Sequence, residues 1–207
     1  MIGIVDYGSG NINAFINIYK KLNIDTLILN NANSFKKVKK LILPGVGSYD
    51  NVITTLKNKN LFDILNKYII DKRVPVLGVC LGMQIMSNNS DEGKLNGFGW
   101  IKGKVKSFEK SKPISKVFYP HMGWNSIELE YDNHPLFLNI DKKQGFYFIH
   151  NFFYECDNIK NVLTYTKYGI KFTSSIFHEN IFGVQYHPEK SHLNGINLLK
   201  NFANLKC

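Results

Sequence analysis

The stretch Gly78-Val79-Cys80-Leu81-Gly82-Met83-Gln84 predicts a sharp turn from a buried strand into a helix. Residues 74–77, which precede it, are apolar and rich in β-branched side chains, a composition typical of a buried strand. Ile85 and Met86, which follow it, have enough apolar character to continue a helix. Because a glycine lies two residues to either side of Cys80, the spacing resembles the nucleophile elbow G-x-S-x-G, with sulfur replacing the hydroxyl.

Cys80 has two interpretations at this point. The N-terminus of a helix offers unpaired N–H groups and partial positive charge, and both favour a thiolate over a thiol. Such surroundings lower the pKa of a cysteine from about 8.5 to roughly 3.5–7.5. The alternative is an inert thiol that closes a core strand, since free cysteine is among the most buried residue types. A base elsewhere in the chain has to decide between the two.

The residues before this stretch alternate between strand and helix patterns. Strands are predicted at 2–6, 25–29 and 41–43, and helices over 12–22 and within 51–70. Short connections between alternating elements predict an α/β fold with a mixed, mostly parallel sheet flanked by helices. Ligands gather at the carboxyl ends of such strands. We therefore expect Cys80 and the turn Pro44-Gly45-Val46-Gly47 to face each other.

The second half of the chain has shorter predicted strands, separated by turn signals such as Asn133-His134-Pro135 and Tyr168-Gly169. This pattern predicts antiparallel additions to the sheet. Neither a linker nor an internal repeat interrupts the sequence, so residues 1–207 are predicted to form a single domain. The strands are expected at 103–108, 126–130, 145–149, 162–168, 172–177 and 181–185, before a final helix over 194–205.

The composition favours a folded protein of a reducing compartment. Hydrophobic residues make up 44% of the chain, and no apolar run approaches the ~20 residues that a membrane span needs. The N-terminus has no basic region before its first strand, which argues against a signal peptide. Cys80, Cys156 and Cys207 form an odd, scattered set without a C-x-x-C pair. We therefore expect a cytoplasmic location and no membrane partner.

Charge and motif content argue against several other ligands. The net charge of +10 is spread over dispersed lysines, and no nucleic-acid motif accompanies it, so no nucleic-acid partner is predicted. The glycine turn at 7–11 lacks the third glycine of the dinucleotide fingerprint, so no cofactor is predicted. The six histidines show no metal-ligand spacing, so no metal is predicted either.

A candidate base lies near the C-terminus, in Phe182-Gly183-Val184-Gln185-Tyr186-His187-Pro188-Glu189-Lys190-Ser191. An apolar strand delivers His187 at its end, and Glu189 is close enough in sequence to orient the imidazole through a hydrogen bond. A lone histidine in such a place is more often structural. Together with an elbow cysteine, however, it completes the cysteine–histidine–carboxylate arrangement of a triad. The pairing favours the nucleophile interpretation of Cys80.

The elbow and His187-Pro188-Glu189 together resemble the class I (triad) glutamine amidotransferases. Three stretches narrow the resemblance to the glutaminase subunits of imidazole glycerol phosphate synthase, which act in histidine biosynthesis. The resemblance runs from Ile2 to the final helix. It implies hydrolysis of glutamine and delivery of ammonia to a (β/α)₈-barrel cyclase subunit, which makes imidazole glycerol phosphate and AICAR, within a heterodimer. The three stretches are Pro44-Gly45-Val46-Gly47, Pro120-His121-Met122-Gly123-Trp124-Asn125 and His187-Pro188-Glu189-Lys190-Ser191.

The resemblance also implies catalytic roles. Cys80 would attack the side-chain amide of glutamine, which forms a γ-glutamyl thioester and releases ammonia, while His187 transfers protons and Glu189 holds it. The oxyanion hole would use the amide of Leu81 and the segment with Val46 and Gly47, in a conformation that the family adopts only when activated. The residues that would contact glutamine are Gly45, Gln84, Glu92, Asn151 and Phe152, with Glu92 suited to the α-ammonium group.

Four residues match positions near the cyclase interface of the family: Asn11, Trp124, Tyr147 and Lys190. A large aromatic side chain at such a place can plug the mouth of an ammonia channel. Trp124 is therefore a candidate plug, with an ordinary core residue as the open alternative.

One departure from the family pattern concerns glutamine binding. After the strand that ends at His150, the family usually has a hydroxyl residue and then tyrosine, whereas this chain has Asn151-Phe152. Asn151 still donates and accepts hydrogen bonds, but the Phe152 side chain does neither. The departure leaves open a paralogue that feeds ammonia to a different synthase, such as one that amidates a surface sugar. A non-catalytic polyanion-binding module and a cysteine peptidase are more distant alternatives.

Overall fold

A computed structural model describes residues 1–8, 10–111, 117–131 and 133–205. Ser9, within the predicted glycine turn, and Cys207 lie outside these described residues. The first half alternates strands and helices, as the sequence predicts. Its elements are β1 (Ile2–Val5), α1 (Ile12–Lys21), β2 (Thr26–Leu29), β3 (Lys40–Leu43), α2 (Tyr49–Asn58), α3 (Leu61–Asn66), β4 (Val76–Val79) and α4 (Leu81–Gln84).

The second half is mainly strands, with a long helix at its end. A 3₁₀ turn at Pro188–Lys190 lies between the last strand and that helix. None of the helices in the described ranges combines the length and apolar character that crossing a membrane requires. The elements are β5 (Asn89–Ser90), β6 (Gly103–Ser107), β7 (His121–Asn125), β8 (Glu128–Leu129), β9 (Phe146–His150), β10 (Phe152–Cys156), β11 (Val162–Tyr168), β12 (Ile170–His178), β13 (Ile181–Val184) and α5 (His192–Asn204).

The main sheet has the strand order β2-β1-β3-β4-β13-β12-β10-β6-β5, and β11 pairs with both β12 and β8 beside this path. The strands from β2 to β13 run parallel. The pairs β13–β12, β12–β10 and β10–β6 are antiparallel, and β7 forms a separate antiparallel pair with β9. The predicted α/β class, with a mostly parallel sheet and antiparallel additions, is confirmed.

The parallel strands are buried on both faces, because helices cover each side of the sheet. Every residue of β1, β3, β4 and β13 is buried. Successive residues of β3 show how one strand serves two cores. Leu41 and Leu43 pack with α2 and α3, whereas Ile42 packs with α1 and α5 on the opposite face.

Some local predictions are wrong. The helix after the elbow ends at Gln84, so Ile85 and Met86 do not continue it. Their carbonyl groups instead accept hydrogen bonds from the backbone N–H groups of Phe98 and Ile101, which belong to the following loop. The sequence pattern also missed three strands, β5, β7 and β10, since β5 has two residues and β10 begins only two residues after β9 ends.

Glycine at position 82 lets α4 pack against the end of β3, because a Cβ there would overlap the carbonyl oxygen of Leu43. We expect Gly82→Ala to lower the free energy of unfolding by about 3 kcal/mol, since backbone atoms cannot yield as side chains do. Gly183→Ala is the matched control, because the atoms nearest to its Cβ would be side-chain atoms of Met83 and Ile176. Urea unfolding of both variants measures the difference, and equal losses would contradict this account.

Candidate active site

Cys80 occupies the turn between β4 and α4 with φ 52° and ψ −110°. This conformation is sparsely populated for an L-residue and costs on the order of 1–3 kcal/mol, so the surrounding bonds have to impose it. The Cys80 N–H donates to the carbonyl of Val184 in β13 over 2.8 Å, and its carbonyl accepts from the N–H groups of Met83 and Gln84. Cys80 as a whole residue is 7% exposed. The predicted elbow therefore exists, and its side chain points into a cavity.

That cavity has a volume of about 290 Å³ and lies at the carboxyl ends of β3, β4 and β13. This is the edge where ligands bind in parallel sheets. It brings together almost all the residues predicted for catalysis, the oxyanion hole and glutamine binding. The lining residues are Val46, Gly47, Cys80, Leu81, Gln84, Glu92, Pro120, Ile149, His150, Asn151, Phe152 and His187.

His187 and Glu189 form a buried pair at this edge. The imidazole Nδ1–H donates to Oε1 of Glu189 over 2.7 Å, and the two side chains are 2% and 3% exposed. Burial disfavours the imidazolium, but interactions with Cys80 and Glu189 outweigh it and raise the pKa of His187 to about 10. Nε2 is buried and has no hydrogen-bond partner among the described residues, so it remains free for proton transfer.

The segment predicted to complete the oxyanion hole packs directly against the elbow. Gly45 is buried there, and a Cβ on it would overlap the backbone of Leu81 and Gly82. Val46 is 49% exposed, and Gly47 has φ 113°, a conformation that favours glycine. As the first residue of α4, Leu81 has an N–H without an acceptor inside the helix. Both predicted donor segments therefore border the cavity, and the activated conformation of the segment with Val46 and Gly47 stays a prediction.

Glu92 is held in place by the start of α2. Its Oε2 accepts the backbone N–H of Tyr49 over 3.2 Å. The carboxylate of Asp50 accepts the N–H groups of Lys94 and Leu95, which fixes the loop on the other side of Glu92. Burial raises the pKa of Glu92, the Tyr49 bond opposes that effect, and the charge of Asp50 adds to it. A cationic group in the cavity would offset both the burial of the Glu92 carboxylate and its repulsion from Asp50.

Gln84, Asn151 and Phe152 lie together on another wall of the cavity. The side-chain amide of Gln84 donates from Nε2 to the carbonyl of Phe152 and to Oε1 of Gln185, both over 3.0 Å. Asn151 is exposed, between β9 and β10. Because position 152 contacts Gln84 through its backbone carbonyl, the change from tyrosine to phenylalanine leaves this contact intact.

Sequence reasoning missed a buried histidine pair beside this wall. His121 Nδ1 lies 2.9 Å from His150 Nε2, and His150 Nδ1 lies 2.8 Å from the Phe152 carbonyl. Burial lowers the pKa of His121 to about 4. Burial, followed by the charge of His121, lowers the pKa of His150 to about 3. His121 stands in a stretch that carried the family resemblance, and His150 ends the strand before the Asn151-Phe152 departure, yet only their burial and mutual distance reveal the pairing.

The pair predicts a loss of stability in acid. Both histidines are neutral in the folded and unfolded states above pH 6.5, so the stability is complete there. Below pH 6.5 both histidines become protonated in the unfolded chain, whereas in the folded chain they stay neutral down to pH 3–4. Each histidine should therefore cost up to about 1.4 kcal/mol per pH unit over this range.

Urea unfolding at pH 7.5 and pH 5 measures this loss. His150→Asn keeps a donor for the Phe152 carbonyl but binds no proton when unfolded, so its loss between the two pH values should be smaller. His178→Asn removes an exposed histidine as the control and should behave like the parent chain. If His150→Asn loses as much stability in acid as the parent, the pair is not the cause.

Three of the four predicted interface residues lie side by side. Trp124 and Tyr147 are paired across β7 and β9, and the Lys190 ammonium lies 5.8 Å from the centre of the Tyr147 ring. Trp124 is 42% exposed and stacks on His192, so the core-residue alternative is wrong. Asn11 is the N-cap of α1, where its side chain accepts the N–H of Ala14.

Comparison with known families identifies the class. The family model described as glutamine amidotransferase class-I matches residues 3–205. Solved structures with the same fold include "Structure of PurLQS from Thermotoga maritima", with a TM-score of 0.73 at 17% identity over 98% of this chain and 97% of that one. A glutamine amidotransferase from Thermotoga maritima has a TM-score of 0.64 at 15% identity, covering 98% of this chain and 82% of that one. The chain belongs to the class I glutamine amidotransferases and is an enzyme of that class.

Curated relatives narrow the membership. The chain is 45% identical over 205 residues to "Imidazole glycerol phosphate synthase subunit HisH" of Leptospira interrogans, covering 99% of this chain and 100% of that protein. It is 44% identical over 202 residues to "Imidazole glycerol phosphate synthase subunit HisH 2" of Methanococcus maripaludis, covering 98% of each. Within the class, the chain belongs to the HisH family.

Proposed function

We propose that this chain is the glutaminase subunit of an imidazole glycerol phosphate synthase, and that it supplies ammonia to a (β/α)₈-barrel cyclase in histidine biosynthesis. The observation that carries the proposal is the shared cavity, in which Cys80 and His187 meet Gln84 and Glu92. Relatives with 37–45% identity over nearly the whole chain are named as HisH subunits of this synthase, which supports the choice of synthase.

The first half of the reaction releases ammonia. The Cys80 thiolate attacks the carbonyl carbon of the glutamine side-chain amide, and the new C–S bond puts a negative charge on oxygen. N–H groups of Leu81 and of the segment with Val46 and Gly47 stabilise that charge. A raised pKa keeps His187 protonated at neutral pH, so Nε2 can donate a proton to the leaving nitrogen. The C–N bond then breaks, which leaves a γ-glutamyl thioester and free ammonia.

The second half regenerates the thiol site. His187, now neutral, accepts a proton from water, which attacks the thioester carbonyl. Collapse of the second tetrahedral intermediate breaks the C–S bond and releases glutamate, and the sulfur leaves as the thiolate beside the imidazolium. Glu189 is the group that keeps the imidazole oriented through both halves, since its hydrogen bond fixes Nδ1 as a donor.

The remaining cavity residues bind the glutamine main chain in this proposal. Glu92 pairs with the α-ammonium group, which offsets the cost of its own burial. Gln84, Gly45, Asn151 and Phe152 surround the rest of the substrate, and the Phe152 carbonyl holds Gln84 in place.

The cyclase docks on the face that carries Trp124, Tyr147 and Lys190 and also contacts Asn11. In this proposal residues 1–207 act as one glutaminase domain of a heterodimer, in the cytoplasm, where the thiol stays reduced.

Complementation tests the choice of synthase. The alternative is a paralogue that feeds ammonia to another synthase, such as a surface-sugar amidotransferase, and the Asn151-Phe152 departure is the feature that favours it. A histidine auxotroph that lacks its own HisH should grow when it expresses this chain together with the cyclase of the same source. Failure to grow with correctly folded protein present would favour the paralogue.

A further inference from the structure

A network of hydrogen bonds that runs from the surface into the core begins on β7, one residue from Trp124. Asn125 donates from Nδ2 to the carbonyl of Lys167 and accepts the N–H of Ser126 at Oδ1, so the orientation of its amide is fixed. The same Nδ2 lies 3.2 Å from His121 Nε2. His121 Nε2 is therefore the acceptor, and His121 carries its proton on Nδ1, directed at His150.

The other end of the network requires the same proton positions. The carbonyl of Phe152 is only an acceptor, so His150 carries its proton on Nδ1 and offers Nε2 to His121. The amide of Gln84 also has to present its NH₂ group to this carbonyl. Two independent ends thus give one consistent arrangement, with both lone pairs of the Phe152 carbonyl in use.

This arrangement dictates the orientation of Gln185. Since Gln84 Nε2 also donates to Gln185, the near atom of Gln185 has to be its oxygen. Its NH₂ group therefore faces the opposite way, and Nε2 lies 3.5 Å from the sulfur of Cys80. Gln185 has no exposed surface and does not line the cavity. Its backbone N–H donates to the carbonyl of Ser174, which fixes the main chain from which the side chain extends.

We propose that Gln185 is a catalytic residue that donates a hydrogen bond to the Cys80 sulfur and stabilises its thiolate form, with its orientation enforced by Gln84, which the Phe152 carbonyl holds in turn. The inference rests on the proposed function in one respect, since it takes Cys80 as the nucleophile. A donor aimed at sulfur favours the anion, because hydrogen bonds to charged acceptors are the strong ones. Gln185 adds to His187, which interacts with the same thiol.

Alkylation of Cys80 tests this role without glutamine turnover. The rate of its reaction with iodoacetamide is followed from pH 5 to pH 9 by mass spectrometry of the peptide that contains Cys80. Gln185→Met removes the donor, and Gln185→Glu keeps the bond from Gln84 while placing a second carboxylate oxygen against the sulfur. We expect the midpoint of the rate profile to rise by about one to two pH units in both variants.

Gln144→Glu is the matched control, because it makes the same charge change at an exposed position and should leave the midpoint unchanged. An unchanged midpoint in folded Gln185→Met and Gln185→Glu would overturn the assignment. The proposed function can fail independently of this assignment. If the chain has no glutaminase activity with any cyclase, the proposed function is wrong. If the midpoint still shifts in the Gln185 variants, the role of Gln185 toward the sulfur is retained.

A measurement on the parent chain tests the same hydrogen bond if the Gln185 variants do not fold. Alkylation of Cys80 should shift the NMR signals of the Gln185 side-chain amide protons, since they contact the sulfur directly. The corresponding signals of Gln144 should stay in place. If the Gln185 signals do not move, the hydrogen bond is absent and the proposal is wrong.

Discussion

Replacing Cys80 with alanine should abolish glutamine-dependent synthesis by the complex with the cyclase and leave synthesis from ammonium salts intact. Removal of a triad nucleophile costs on the order of 10⁶ in turnover, because no other group forms the covalent intermediate. The cyclase needs only ammonia, which added salts supply directly. The expected result is therefore a loss confined to one nitrogen source.

Cys156→Ser is the matched control for this experiment. Burial raises the pKa of Cys156 to about 12, so its thiol is not a nucleophile at neutral pH and its loss should leave glutaminase activity unchanged. Both variants are assayed with the cyclase and with each nitrogen source in turn. Normal glutamine hydrolysis by Cys80→Ala would show that the elbow is structural and that the proposed mechanism is wrong.

The parallel core could be predicted because its signals are local. Continuous apolar runs marked β1, β3, β4 and β13, and the rule that ligands gather at carboxyl strand ends placed Cys80 near the Pro44-Gly45-Val46-Gly47 turn. The end of α4 could not be predicted in the same way. Hydrogen bonds from residues 98 and 101 to the carbonyls of Ile85 and Met86 end the helix, and they depend on how a later loop folds back.

In the candidate site, too, residues with a local sequence signal could be predicted and residues that depend on distant partners could not. Cys80, His187 and Glu189 carry recognisable spacing, so sequence was enough to select them. Gln185 lies only two residues before His187, yet a single glutamine in an apolar strand gives no sign of its partners. Its orientation toward the sulfur depends on Gln84 and on the Phe152 carbonyl, which come from two other parts of the chain. Only the fold brings those acceptors and donors into one network.

Glu189→Gln should reduce the turnover of glutamine by about 10³- to 10⁴-fold at neutral pH, with little change in KM. The negative charge of Glu189 is one of the causes that raise the pKa of His187 to about 10, and a neutral amide cannot replace it. The pKa of His187 should fall, so less imidazolium is present to protonate the leaving nitrogen. A comparable change in a serine triad, which removes the charge and the correct tautomer, costs about 10⁴.

NMR titration of His187 and steady-state kinetics with the cyclase bound measure the two effects together. Glu179→Gln makes the same substitution at an exposed carboxylate that pairs with Arg73, and it should change neither quantity. A raised KM with unchanged turnover would mean that Glu189 holds the substrate-binding wall rather than the imidazole. A lower turnover with an unchanged pKa of His187 would separate orientation from charge, because the hydrogen bond alone would then account for the loss. A lower turnover together with a lower pKa of His187 is expected only if the buried carboxylate of Glu189 acts through its charge on His187.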